Sequence, residues 1–215
     1  MCLILNLETS TRNCSVSIAK NGKTLISVEE CFDNNIHSEI LHVFIKYAIK
    51  ISNIDLNYLN SICISRGPGS YTSLRIGSSV AKGLCMSLGI PLLSIDSLTI
   101  LVQNVNNNEN GIFIPMIHAK SNSFYTCFFD KSKKKLSDIS IRNINKNLLQ
   151  EKYIKNNKVS ILGNVDFFSK NCFNKKNIFF IPKFYPSAID MSNISYIRFI
   201  EKKFHNIENF YPFYL

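Results

Sequence analysis

The chain has 215 residues, enough for one large domain or two small lobes with a core each. Hydrophobic residues make up 46% of it, too many for a disordered chain, and no apolar run approaches the ~20 residues that cross a bilayer. The net charge is +10, nearly all of it late: residues 1–100 carry eight Lys/Arg against seven Asp/Glu, residues 101–215 seventeen against eight. A basic half attracts RNA by counterion release. The same half is rich in Asn, Ile, Phe and Lys, however, a bias that an AT-rich genome produces by drift. The seven cysteines are odd in number, lack C-x-x-C spacing and mostly sit among apolar residues. That pattern predicts reduced core thiols, with no disulfide framework and no zinc site.

In chain order, Leu3 to Leu7 is an apolar run ending in the polar turn Glu8-Thr9-Ser10-Thr11. Without a basic start it reads as a buried strand and not as a signal peptide. Cys14 to Ala19 alternates, Asn21-Gly22 is a two-residue hairpin signal, and Thr24 to Cys31 completes a three-stranded meander. A helix is predicted from His37 to Ser52, a buried strand from Ser61 to Ser65, and a helix from about Ser70 to Leu88, stopped by Gly89 and Pro91. Pro91 to Ile95 is a short strand, and Asp96 or Ser97 caps a helix running to about Val105. The polar run Val105 to Gly111 is the boundary between a first lobe, 1–105, and a second, 106–215. After it the order returns in weaker form. Ile112–His118 and Phe124–Asp130 read as paired strands, Val159–Leu162 and Ile178–Ile181 as strands between polar helices, and Ser187–Phe204 as a terminal helix. Strands alternating with helices predict an α/β fold of two related lobes, each built on a mixed sheet.

Chemistry concentrates at Arg66-Gly67-Pro68-Gly69-Ser70. The glycines allow unusual backbone angles, Pro68 stiffens the turn, and Ser70 can cap the helix that follows. With Arg66 and Arg75 alongside, the loop can hold a phosphate or a partner's carboxylate, or serve only as a tight connection. The following helix is rich in small residues, and the helix at 37–52 has more apolar surface than one core face needs. Both features point to a second packing surface. The turn at Glu8 has an acid and hydroxyls but no glycine, which favours a capped turn over a phosphate site. No zinc-binding histidine spacing, Walker loop or nucleophile elbow is present.

The stretches I-L-N-L-E-T-S-T (4–11), C-S-V-S-I (14–18), H-S-E-I-L (37–41), R-G-P-G-S-Y-T-S-L-R-I-G (66–77), A-K-G-L (81–84) and I-P-L-L-S-I-D-S-L (90–98) together resemble the TsaB (YeaZ) family. The resemblance covers about the first 105 residues well, and later only I-H-A-K (117–120) and P-F-Y-L (212–215) match. It implies two RNase H-like, actin-like ATPase lobes, the second reduced. It also implies a cytoplasmic, non-catalytic subunit for threonylcarbamoyladenosine formation in tRNA. The implied partners are a TsaD-type catalytic subunit, which moves threonylcarbamoyl from threonylcarbamoyl-AMP to the N6 amine beside the anticodon, and a TsaE-type ATPase. The tRNA is the substrate of the complex, and no membrane is involved. TsaD holds its metal through a histidine pair in the helix that corresponds to Asp96–Val105, which has none here. No cofactor is expected on this chain alone; nucleotide at the partner junction and a homodimer in isolation stay open. Dimerisation through the first-lobe helices points to Ile40, Leu41, Phe44, Ile45 and Ala48, with Ser73, Gly77 and Ala81, as the partner-facing set. Three departures stand out: Asn6 and Glu8 differ from the family's usual opening, His118 stands where an Asp is usual, and Leu215 falls short of the usual tail. The alternatives are a small-molecule kinase or ATPase of the same fold, resting on Glu8, and a tRNA-binding module resting on the basic second half.

Overall fold

A computed structural model describes residues 1–33, 36–105, 111–143, 157–165 and 177–215. The first sheet has the order β3-β2-β1-β4-β5, from β1 (Leu3–Glu8), β2 (Asn13–Lys20), β3 (Lys23–Cys31), β4 (Ser61–Ser65) and β5 (Leu92–Ile95). β1, β2 and β3 pair antiparallel, while β1–β4 and β4–β5 are parallel. Asn21 and Gly22 make the hairpin with positive φ of 48° and 80°, the geometry their sequence predicts. Helices α1 (His37–Ser52), α2 (Tyr71–Leu88) and α3 (Ser97–Val102) alternate with the parallel strands.

Every residue of β1 is buried, so both of its faces are covered. Leu3, Leu5 and Leu7 join Leu41, Ile45 and Ala48 of α1 and Ala81 and Cys85 of α2 in one core. Ile4, on the opposite face, packs with Cys63, Leu93, Ile95, Ala188 and Met191. That second layer is made by the end of the chain: a 3-10 turn at Ala188–Met191 and helix α4 (Ser192–Ile200).

The second sheet, β10-β9-β6-β7-β8, repeats the first. Its strands are β6 (Gly111–His118), β7 (Ser123–Thr126), β8 (Ser140–Asn143), β9 (Lys158–Gly163) and β10 (Ile178–Phe180). β6, β7 and β8 form an antiparallel meander, and β9 and β10 add in parallel. The two mixed sheets thus share one strand order, the actin-like arrangement. The polar helices expected between β8, β9 and β10 lie outside the described residues.

One expected boundary needs correction. The chain divides near residue 100, but Pro186–Tyr214 belongs to the first lobe rather than the second. The reason is hydrogen bonding and burial together. Ser17 Oγ donates to the Ala188 carbonyl at 2.8 Å, Ala188 N–H to Ser15 Oγ at 2.9 Å, and Asn13 Nδ2 to the Pro186 carbonyl at 3.1 Å. The predicted terminal helix to Phe204 ends at Ile200, and an irregular tail follows.

Candidate functional site

The glycine loop joins β4 to α2 and is gripped from several sides. Arg66 N–H donates to the Ile95 carbonyl at 2.9 Å, and Ser97 N–H to the Gly67 carbonyl at 2.8 Å. Ser70 N–H donates to the Ser10 carbonyl at 2.8 Å, and Phe213 N–H to the Arg66 carbonyl at 2.6 Å. Gly67 has φ +102°, and a Cβ there would lie 2.6 Å from the Phe213 carbonyl oxygen. A Cβ on Gly69 would run into the Ser10 carbonyl. Pro68 is buried and follows a cis peptide bond. Ser70 caps α2 as expected, accepting from Ser73 N–H at 3.4 Å. The loop is therefore a station that holds the first turn on one side and the C-terminal tail on the other.

That arrangement covers the turn at Glu8. Glu8, Thr9 and Ser10 are buried, and a Cβ on Gly77 would run into Thr9 Oγ1. Ser10 N–H donates to Glu8 Oε1 at 2.6 Å, while Glu8 Oε2 has no protein partner among the described residues. Burial pushes the Glu8 carboxyl up to about 7 from its ordinary 4.5, with Asp190 adding to the rise and hydrogen bonds from Ser10 and Ser65 opposing it. The folded chain thus holds this proton more tightly than the unfolded one. The stabilisation is fully present below about pH 4.5 and is lost as pH rises through about 7, a change on the order of 3 kcal/mol. Glu8→Gln is accordingly expected to raise Tm at pH 8 and leave it nearly unchanged at pH 5. Equal shifts at the two pH values would contradict the assignment.

The expected partner-facing set divides. Leu41, Ile45, Ala48, Ser73, Gly77 and Ala81 are buried within this chain, so they cannot meet a partner. Gly77 is small because Thr9 and Ile64 lie against it, not because another chain does. Ile40 and Phe44 are half-buried, and Phe44 packs against the core. The outward apolar face of α1 is instead Val43, Tyr47 and Ile51, spaced i, i+4, i+8 and 51%, 53% and 48% exposed. On α2 the exposed residues run in two lines, Thr72, Ser79, Gly83 and Ser87 facing outward and Tyr71, Arg75 and Met86 along one flank. A Cβ on Gly83 would meet nothing within 4 Å. The signal for the outward stripe was present in the sequence, as the apolar residues of α1 left over once Leu41, Ile45 and Ala48 are assigned to the core.

Among the described residues no cluster of His, Cys, Asp or Glu could hold a metal, and no helix is long and apolar enough to cross a membrane. Burial pushes the thiols of Cys14 and Cys85 up to about 12, as suits core packing.

Fold and site together define a two-lobed actin-like protein whose first turn is sealed and whose helix α1 presents an apolar outer stripe. Residues 32–196 match the family model described as TsaD: tRNA N6-adenosine threonylcarbamoyltransferase. A protein named tRNA threonylcarbamoyladenosine biosynthesis protein TsaB from Buchnera aphidicola subsp. Acyrthosiphon pisum is 31% identical over 153 residues, covering 71% of this chain and 67% of its own. Its namesake from Buchnera aphidicola subsp. Baizongia pistaciae is 27% identical over 218 residues, covering 99% of this chain and 97% of its own. The solved YeaZ from Pseudomonas aeruginosa has the same fold, with TM-score 0.84 over 100% of both chains at 20% identity. The chain belongs to the TsaB family of tRNA threonylcarbamoyladenosine biosynthesis proteins.

Proposed function

We propose that the chain is a cytoplasmic, non-catalytic subunit of the assembly that forms threonylcarbamoyladenosine in tRNA. It carries a TsaD-type subunit on the outward face of α1 and α2. A TsaE-type ATPase joins the pair, and the tRNA is the substrate of the whole. The observation that carries this reading is the exposed stripe Val43, Tyr47 and Ile51 on α1. Half-exposed residues at i, i+4, i+8 form a continuous apolar strip of the kind that another helix covers.

Gly83 supports the same reading. Glycine within a helix costs about 1 kcal/mol relative to alanine, and none of the described residues lies close enough to require it there. A closely approaching partner backbone gives the missing reason. Gly83→Ala is expected to stabilise the isolated chain by about 1 kcal/mol and to weaken its capture of a TsaD-type subunit. Thermal unfolding and a titration of the two purified subunits read the two effects. A stabilised variant with unchanged affinity would remove Gly83 from the interface.

The kinase or ATPase alternative asks the turn at Glu8 to receive a phosphate and its metal. Against it stand the burial of Glu8, Thr9 and Ser10 and the Ser70 N–H already given to the Ser10 carbonyl. We likewise assign no cofactor to this chain alone. Co-expression with the TsaD-type subunit of the same genome, followed by purification through a tag on one partner, tests the reading directly. Failure of the two to co-purify would overturn it.

A further inference from the structure

The tail after α4 does more than hold the glycine loop. Phe210 is buried in the main core, and the Phe213 N–H is fixed to the Arg66 carbonyl, so the segment between them lies pinned along α2. Three tyrosines stand out from it and from the start of α2. Tyr71, Tyr211 and Tyr214 are 55%, 73% and 42% exposed. Tyr71 and Tyr214 have ring centroids 4.8 Å apart. The Arg75 guanidinium lies 4.9 Å from the Tyr71 ring, and Lys82 Nζ lies 5.6 Å from the Tyr211 ring. Lys82 also donates to the Glu208 carbonyl at 3.0 Å, which fixes the cation beside the ring.

We propose that Tyr71, Tyr211 and Tyr214, with Arg75 and Lys82, form a stacking platform for single-stranded RNA. The choice of RNA over DNA rests on the function proposed above; the rest stands on the patch itself. Exposed rings interleaved with cations, held rigid before binding, take bases on their faces and phosphates on their charges. Charge agrees: Arg66 to Gly89 contains three cations and no acid, and Lys202 to Leu215 contains a single acid, Glu208. Position sets the patch beside the proposed partner face and not within it. Tyr71, Arg75 and Lys82 lie on one line of α2 and Thr72, Ser79 and Gly83 on the next, while Ile76, Val80 and Leu84 pack into the core that holds Phe44 and Ile49 of α1.

The test is fluorescence anisotropy of the full chain with a labelled oligoadenylate of about a dozen nucleotides, beside an RNA duplex of equal length. Single-strand binding is expected to fall roughly tenfold in Tyr211→Ala and in Tyr214→Ala, and to persist in the corresponding Phe variants, which keep the stacking face. Arg75→Gln with Lys82→Gln should flatten the logarithmic salt slope by about 1.4, the value for two lost phosphate contacts on a single strand. Equal affinity for duplex and single strand with no effect of the tyrosine variants would overturn the proposal and assign the binding to charge elsewhere. Absence of oligoadenylate binding, with loss of TsaD-type subunit capture in the alanine variants, would overturn it in favour of a protein contact. Failure of the partner reading shows separately, in co-purification of the unaltered chain.

Discussion

Val43→Asp combined with Tyr47→Asp is expected to leave the chain folded and to weaken its capture of a TsaD-type subunit by more than a hundredfold. Both side chains are half exposed, so little of this chain's own core depends on them. Exposed substitutions of this kind usually shift stability by about 0.5 kcal/mol or less, with a few tenths more for the poorer helix propensity of Asp. Covered by a partner, each position would place an unpaired carboxylate in an apolar contact. Truncating a central aromatic anchor alone costs about 2 kcal/mol or more, and burying a charge adds to it. A combined loss of roughly 3 kcal/mol corresponds to more than a hundredfold in Kd. Titration calorimetry of the two purified subunits measures the affinity, and a melting curve of the isolated variant verifies its fold. An unchanged affinity in a folded double variant would sink the assignment of this face.

Gly77→Leu is expected to do the reverse and prevent folding. Its Cβ alone would overlap Thr9 Oγ1 and would stand 3.0 Å from Ile64 Cδ1. Rotating the side chain relieves nothing, because the clash begins at the first atom. Overpacking a tight core costs about 1–3 kcal/mol, and leucine adds three more carbons at a place with no room. Against the 5–15 kcal/mol typical of a domain, a loss of about 3 kcal/mol or more produces an insoluble or largely unfolded chain. Gly83→Leu, two turns further along the same helix, is the control, since its added atoms enter open space. The pair separates an internal requirement for glycine from an external one. A Gly77→Leu chain that melted like the unaltered protein would mean that the first turn is not docked on α2.

The two glycines also show what could be read in advance. The predicted strands and the first two helices of the first lobe are found within a residue or two, because each carries a local signal, whereas α3 ends at Val102 and not at the expected Val105. β1 and β4 are short buried runs, Asn21-Gly22 supplies the positive φ of a hairpin, and Ser70 and Gly89 cap α2. The short β8 and the early end of the last helix were not legible. Ser-Ile-Arg-Asn carries too few apolar residues to announce an edge strand, and nothing in the local pattern stops a helix at Ile200.

Sequence alone determined the alternation of strands and helices, the repeated order of the two lobes, and the family, through a motif of glycines and hydroxyls around residues 66–77. Those features rest on backbone propensity and on neighbours close in the chain. Only the tertiary structure decided what each small residue is small for. Gly69 and Gly77 make room for Ser10 and Thr9, more than fifty residues earlier, and Gly67 makes room for Phe213, far later in the chain. The return of Pro186–Tyr214 to the first lobe was likewise hidden, because it depends on Ser15 and Ser17 of a distant strand. Which apolar residues of α1 face inward and which remain for a partner depends on how the helix is rotated against the sheet. Composition carries no record of that rotation, and the packed core sets it.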